Sequence, residues 1–193
     1  RCPEPNPNNF YYRQDGVRNN LLVKQGDSSK FQELAQAVVL LARAYDKNDD
    51  VTKKYIEKSS ELIRVWFVDS KTRMNPNLNN AQIIAGPHNS KKFSASCTPR
   101  NDNIQEKGGT KSGIIEFRYM ISILAVMPII INTGTLTQDE QDKFNQWLES
   151  YYKWLITSPA GKMEAATENN HSTWYDAQAV SIALYLGKNE EAK

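Results

Sequence analysis

Five stretches of this chain repeat apolar residues every three to four positions, and none alternates them strictly. A period near 3.6 lays side chains along one face of a helix, whereas a half-buried strand needs a period of two. The chain is therefore expected to be all-α. The first stretch, FQELAQAVVLLARAY, follows two good N-caps, Asp27 and Ser28, and carries Leu34, Ala37, Val38, Leu41 and Tyr45 on one face. After the polar turn DKNDD, a second helix carries Tyr55, Ile56, Ser59, Leu62, Ile63, Trp66 and Phe67. Two helices joined by so short a turn form an antiparallel hairpin. A third helix is predicted over Gly113 to Asn132, its second half apolar nearly all round and so buried on most sides. Thr137-Gln-Asp-Glu140 is a capping box opening a fourth helix with Phe144, Trp147, Leu148, Tyr151, Trp154 and Leu155. The fifth begins around Ser172 or Thr173 and stops at Gly187.

Between these helices lie two polar loops, 69–112 and 157–171, and before them an irregular arm, 1–26, whose opening RCPEPNPNNF holds three prolines and three asparagines. The domain proper is then 27–193. Paired helices of similar length form a helical array, a toroid or a solenoid. No fixed-period repeat marks a TPR or HEAT array.

Charge and composition exclude several classes. Lys and Arg number 24 against 22 Asp and Glu, a net +2 with no basic run, so no nucleic-acid partner is expected. An anionic polymer is compatible with that balance. The longest apolar run, Met120 to Ile131, spans 12 residues and contains Ser122 and Pro128. A membrane helix needs roughly 20, so no membrane span is expected. Cys2 and Cys97 form no zinc-like cluster; a disulfide tying the arm to the central loop and two separate thiols are both open. The start at Arg1 fits a mature secreted protein or a trimmed one.

Few residues can supply chemistry. The only histidines are His88 and His171. His171 lies in ENNHSTWYDAQ, where Asn169, Asn170 and His171 precede an apolar helix. A helix N-terminus presents unpaired N–H groups and the positive end of a dipole, so amides and an imidazole there suit a carboxylate ligand. By composition alone, the same residues are equally an ordinary loop and cap. Asn170-His171-Ser172 is also a formal glycosylation sequon, discounted because a glycan would block the site. A second cluster, Thr72 to Gln82, packs four Asn and one Gln into a loop. Amides both donate and accept, which suits sugar hydroxyls, although Asx turns explain them too. His88, near Lys91 and Lys92, either faces the cleft or lies on an exposed loop. Of Trp66, Trp147, Trp154 and Trp174, one or two at most are assigned to a ligand surface; the rest read as core.

Three segments together carry a resemblance. VWFVDSKTRMNPNLNNAQIIAG, GIIEFRYM and WLESYYKWLITSPAGKMEAATENNHSTWYDAQAVSIALYLG resemble, in order and with similar gaps, blocks of the alginate lyase superfamily domain, over roughly residues 34–187. The resemblance implies an incomplete (α/α) toroid and β-elimination at a 4-linked uronate, alginate or glucuronan, without metal or cofactor. It implies catalytic roles for Asn170, bonding the uronate carboxylate, and for His171, neutralising it or acting as base. Substrate contacts are expected from Asn77, Asn80, Gln82, Arg118, Asn169 and Trp174. It also implies a general-acid tyrosine, preceded by an assisting arginine, well downstream of His171; Tyr175 matches the structural tyrosine of the TWYD block instead. The sequence stops at Lys193, 22 residues after His171. Residues 1–193 alone are therefore expected to lack turnover, with the faces that would meet further helices exposed. A fragment of a longer protein, or a processed half whose toroid a second chain or self-association completes, is one reading. An inactive carbohydrate-binding module and a structural or assembly module are the others.

Overall fold

A computed structural model describes residues 27–79 and 111–192. The N-terminal arm, Asn80, Gln82, His88, the two nearby lysines and both cysteines lie outside the described residues. Among those described there is no strand, and six α-helices stand where five were expected.

Helix α1 (Asp27–Arg43) and α2 (Lys53–Ile63) form the expected hairpin. Their turn satisfies its own polar groups: Asp46 Oδ1 accepts from the Asn48 N–H and Asp49 Oδ1 from the Val51 N–H, each at 2.9 Å. The buried face of α1 is Phe31, Leu34, Ala35, Val38 and Ala42. That stripe is rotated from the predicted one, and Leu41 and Tyr45 are only half-buried. On α2, Ser59 is buried and donates to the Val38 carbonyl across the hairpin at 3.1 Å. The helix then widens into a π turn, Arg64–Val68, in which the Asp69 N–H reaches back to the Arg64 carbonyl at 2.8 Å. The inserted residue rotates the chain so that Phe67 and Val68, adjacent in sequence, both enter the core.

The predicted third helix is divided. Lys111–Tyr119 winds as a 3₁₀ helix and Met120–Asn132 as α3. A 3₁₀ helix brings every third side chain into line. The sequence fits that winding, because Ile114, Phe117 and Met120 fall three apart and all three are buried. Phe117 stacks on Phe31 of α1 with ring centroids 4.3 Å apart. Gly113–Asn132 is 20 residues long and apolar enough to cross a membrane by length and composition. In the fold, however, Ile123, Leu124, Val126, Met127 and Ile130 pack into the core, and α3 lies against α1 and the last helix. Burial is less complete than expected, since Ala125, Pro128 and Ile129 are exposed.

Helix α4 (Gln138–Thr157) has the predicted capping box: Thr137 Oγ1 accepts from the Glu140 N–H, and Glu140 Oε2 from the Thr137 N–H. Glu140 also bonds Arg64 Nε at 2.6 Å, tying the start of α4 to the π turn. Phe144, Trp147, Leu148, Tyr151, Tyr152 and Leu155 make its buried stripe. The expected loop 157–171 contains a short helix, α5 (Pro159–Ala165), and the last helix, α6, runs Asn170–Tyr185. It starts earlier than predicted because Asn169, not Ser172 or Thr173, is the cap. It stops as predicted: Gly187 takes φ 74°, a left-handed value that glycine adopts without penalty. Val180 and Leu184, one turn apart on α6, are exposed.

Candidate functional site

The corner joining α4, α5 and α6 carries four of the eight predicted site residues, Asn169, Asn170, His171 and Trp174. Ser158 ends one helix and begins the next: its N–H bonds the Trp154 carbonyl at 2.9 Å, and its Oγ accepts from the Gly161 N–H at 3.0 Å. Pro159 occupies the first turn of α5, where its missing N–H costs nothing. Gly161 lies so close to the end of α4 that a Cβ there would overlap the Leu155 carbonyl. This close approach drives α5 inward, and Glu164, one turn later, is completely buried. Thr167 locks that residue by donating to the Glu164 carbonyl from both its N–H and its Oγ1.

Asn169 then caps α6, its Oδ1 accepting from the His171 N–H at 2.8 Å. Ser172 Oγ donates back to the Asn169 carbonyl at 2.9 Å. The cap uses the Asn169 oxygen, so only its amide N–H₂ is available to a ligand. Asn170, the first residue of the helix, is exposed. The His171 side chain is 26% exposed, and its Nδ1 lies 2.5 Å from Oε1 of Glu164. The other carboxylate oxygen, Oε2, is buried with no hydrogen-bond partner among the described residues. Sequence reasoning missed Glu164. Its signal was an acidic residue seven positions before the histidine, inside the block GKMEAATENNH that carries the resemblance, but in a stretch that reads as a polar loop.

One turn along α6 from Asn170, Trp174 is 39% exposed. The Arg118 guanidinium sits 5.8 Å from the Trp174 ring centroid and 4.3 Å from that of Tyr119. Its Nη1 donates to the Ile115 carbonyl at 2.9 Å and its Nη2 to the Tyr119 hydroxyl at 2.6 Å. The 3₁₀ helix is fastened to α6 by the buried Gln178, whose Nε2 donates to the Ile114 and Trp174 carbonyls. Thus Asn169, Asn170, His171 and Trp174 share the start of α6, and Arg118 lies against Trp174.

Asn77 lies on the loop that follows the π turn. Its Oδ1 accepts from the Asn79 N–H at 3.2 Å, an Asx turn. The loop is pinned to α4 by tryptophan N–H groups: Trp147 donates to the Met74 carbonyl at 2.8 Å and Trp154 to Asn79 Oδ1 at 2.9 Å. These two rings hold the loop. Among the described residues no hydrogen bond joins Asn77 to Asn170 or His171. The path between them runs through Trp154, its neighbour Tyr151 with centroids 5.8 Å apart, and the Tyr151–Gln178 bond at 3.4 Å. Asn80 and Gln82 lie outside the described residues.

The tyrosines of the core are poor proton carriers. Burial pushes Tyr151 well above the ordinary phenol value and raises Tyr152 and Tyr175 as well. Burial also pushes Tyr185 up to about 12. Tyr175 donates to the Leu155 carbonyl at 3.3 Å, a structural bond. Among the described residues no three His, Cys, Asp or Glu side chains are grouped to hold a metal ion.

Comparison with known proteins follows the same lines. The family described as alginate lyase matches residues 3–193. A crystal structure of an alginate lyase from Bacteroides ovatus superposes with a TM-score of 0.74 at 25% identity, covering 99% of this chain and 48% of that one. The chain therefore spans about half the length of that lyase. A comparison with curated proteins finds no match.

Proposed function

The chain belongs to the alginate lyase family, and from that premise we propose that the first turn of α6 is the carboxylate-binding half of a polyuronate lyase site. The observation that carries this reading is the arrangement of Asn170 and His171 on an open helix N-terminus, with Arg118 and Trp174 alongside. In 4-linked uronates such as alginate or glucuronan, the C5 proton is weakly acidic because the adjacent carboxylate is already negative. Donors aimed at that carboxylate let charge spread onto it as the proton leaves. The Asn170 amide, the His171 imidazole and the N-terminal end of α6 supply those donors. A base takes the C5 proton, a role open to Nε2 of His171; the C5–H electrons then form the C4–C5 double bond, the C4–O bond breaks, and the leaving oxygen takes a proton from a general acid, the role the resemblance gives to a tyrosine well downstream of His171. Arg118 offers a cation to a neighbouring uronate, and Trp174 an exposed ring face to a sugar. No metal or cofactor enters this scheme.

The partner is an anionic, extracellular polysaccharide, and the protein is read as secreted. The apolar stretch Gly113–Asn132 is read as a core helix and not a span, because its side chains fill the core. Val180 and Leu184 are the surface that a further helix or a second chain would cover. Exchanging Asn170 or His171 for Ala in the complete protein lowers the release of unsaturated uronate ends by at least about 100-fold, the scale of losing a preorganised donor. Folded variants with unchanged release would sink the assignment.

A second reading is binding without cleavage. The tyrosines that burial perturbs, Tyr151, Tyr152, Tyr175 and Tyr185, are all pushed away from neutral-pH proton transfer. Under this reading polyuronate binding is retained, is weakened by H171A, and yields no new unsaturated ends.

A further inference from the structure

We propose that Glu164 is a positioning residue for the lyase site: its buried carboxylate holds the Nδ1–H of His171, so that Nε2 is the ring nitrogen that meets the uronate. The inference rests on the reading of His171 given above. Nδ1 lies 2.5 Å from Oε1, in direct hydrogen-bond contact. Glu164 is wholly buried, and taking an ionised carboxylate out of water is unfavourable unless it is compensated. The compensation is narrow: among the described residues Oε2 has no partner and His171 is the side chain bonded to the carboxylate.

A structural account of this carboxylate is weak. The cap of α5 is made by Ser158, and that of α6 by Asn169. The bonds from Thr167 go to the Glu164 main-chain carbonyl and need no carboxyl. An apolar side chain of similar size would fill the same space without the desolvation cost. What only an ionised carboxylate supplies is an obligate acceptor facing one ring nitrogen. It accepts and cannot donate, so it admits only the imidazole forms that carry hydrogen on Nδ1. Orientation and tautomer are then fixed together. When Nε2 carries a proton toward the uronate, the resulting imidazolium already has its counter-charge.

Glu164→Gln keeps the size and removes the obligate acceptor. Long-range proton–nitrogen NMR on the imidazoles, with His171→Ala assigning the signals, reads the tautomer directly. Neutral His171 in the parent protein is expected to carry hydrogen on Nδ1, with the Nε2–H form growing in in E164Q. Turnover on alginate by the complete E164Q protein is expected to fall about 10–100-fold in kcat, with KM within about twofold because Glu164 does not touch substrate. An Nε2–H tautomer in the parent protein, or an E164Q variant with unchanged tautomer and kcat, overturns the proposal. If E164Q does not fold, the tautomer of the parent protein decides alone. The NMR reading is independent of activity: a fixed Nδ1–H tautomer in a protein without turnover upholds the Glu164–His171 pairing and counts against the lyase reading instead.

Discussion

Asn169, Asn170 and His171 are adjacent, yet the fold gives them three different situations. Asn169 spends its carbonyl oxygen on the helix cap. Asn170 is exposed and His171 is gripped from behind by Glu164. The two sequence readings of this trio, cap and ligand site, are therefore compatible: one residue caps and the next two are available. N169A is expected to cost about 1 kcal/mol of stability, the usual worth of such a cap, measured by urea denaturation. Turnover in N169A should fall much less than in H171A. The trio was legible because its residue types and its place before an apolar helix are local facts. Glu164 was not, because its importance lies in burial, and burial depends on how α5 docks.

A second residue-scale expectation concerns acid. Burial pushes the Glu140 carboxyl up, but the Arg64 guanidinium and the Thr137 N–H together outweigh it and hold the group below its ordinary value. A carboxyl whose folded pKa is depressed stabilises the fold above the unfolded pKa. That contribution disappears as pH falls from the ordinary glutamate range through the lower folded value. Unfolding free energy measured from pH 6 to pH 3 should decline less steeply in E140Q than in the parent protein. Parallel slopes would show that the Arg64–Glu140 link carries no pH-dependent stability.

At the scale of elements, periodicity identified α1, α2 and α4 and the end of α6, because each buries one stripe of its own side chains. It failed where a segment departs from the 3.6 period or is too short to display one. Ile114, Phe117 and Met120 recur at three, which a helical pattern absorbs without revealing the 3₁₀ winding. The π turn puts the neighbours Phe67 and Val68 into one core, a placement no regular period predicts. Helix α5 has seven residues, under two turns, and PAGKMEA shows no face. Its position depends on the absence of a side chain at Gly161. G161A would force the Leu155 carbonyl and α5 apart. The expected cost is more than about 2 kcal/mol, in the range of serious core disruption, read as a lowered urea midpoint. The same variant should loosen Glu164 from His171, so the NMR tautomer signature of E164Q should recur in G161A. An unchanged midpoint would mean that the corner is soft and does not position α5.

Across the whole molecule, hairpins and caps pointed to a helical array, and the block resemblance identified which one. The Bacteroides ovatus lyase supports that assignment, with 99% of this chain covered by 48% of that one. The aromatic core runs continuously from Phe31 on α1 through Phe117 to Trp147 and Tyr151 on α4. The 3₁₀ helix that presents Arg118 is thereby clamped between α1 and α4, and Gln178 fastens it to α6. The loop carrying Asn77 is held to the same part of α4 by Trp147 and Trp154. The 3₁₀ helix and the Asn77 loop are thus both mounted on α4, through residues that interleave along it. The central claim is that the first turn of α6 neutralises a uronate carboxylate during β-elimination. The most direct test follows the ultraviolet absorbance of new unsaturated ends on alginate and glucuronan, with the complete protein and its N170A and H171A variants at matched folded concentration. The account predicts turnover by the parent protein and a fall of at least about 100-fold in each variant; parental turnover in folded H171A and N170A would contradict it.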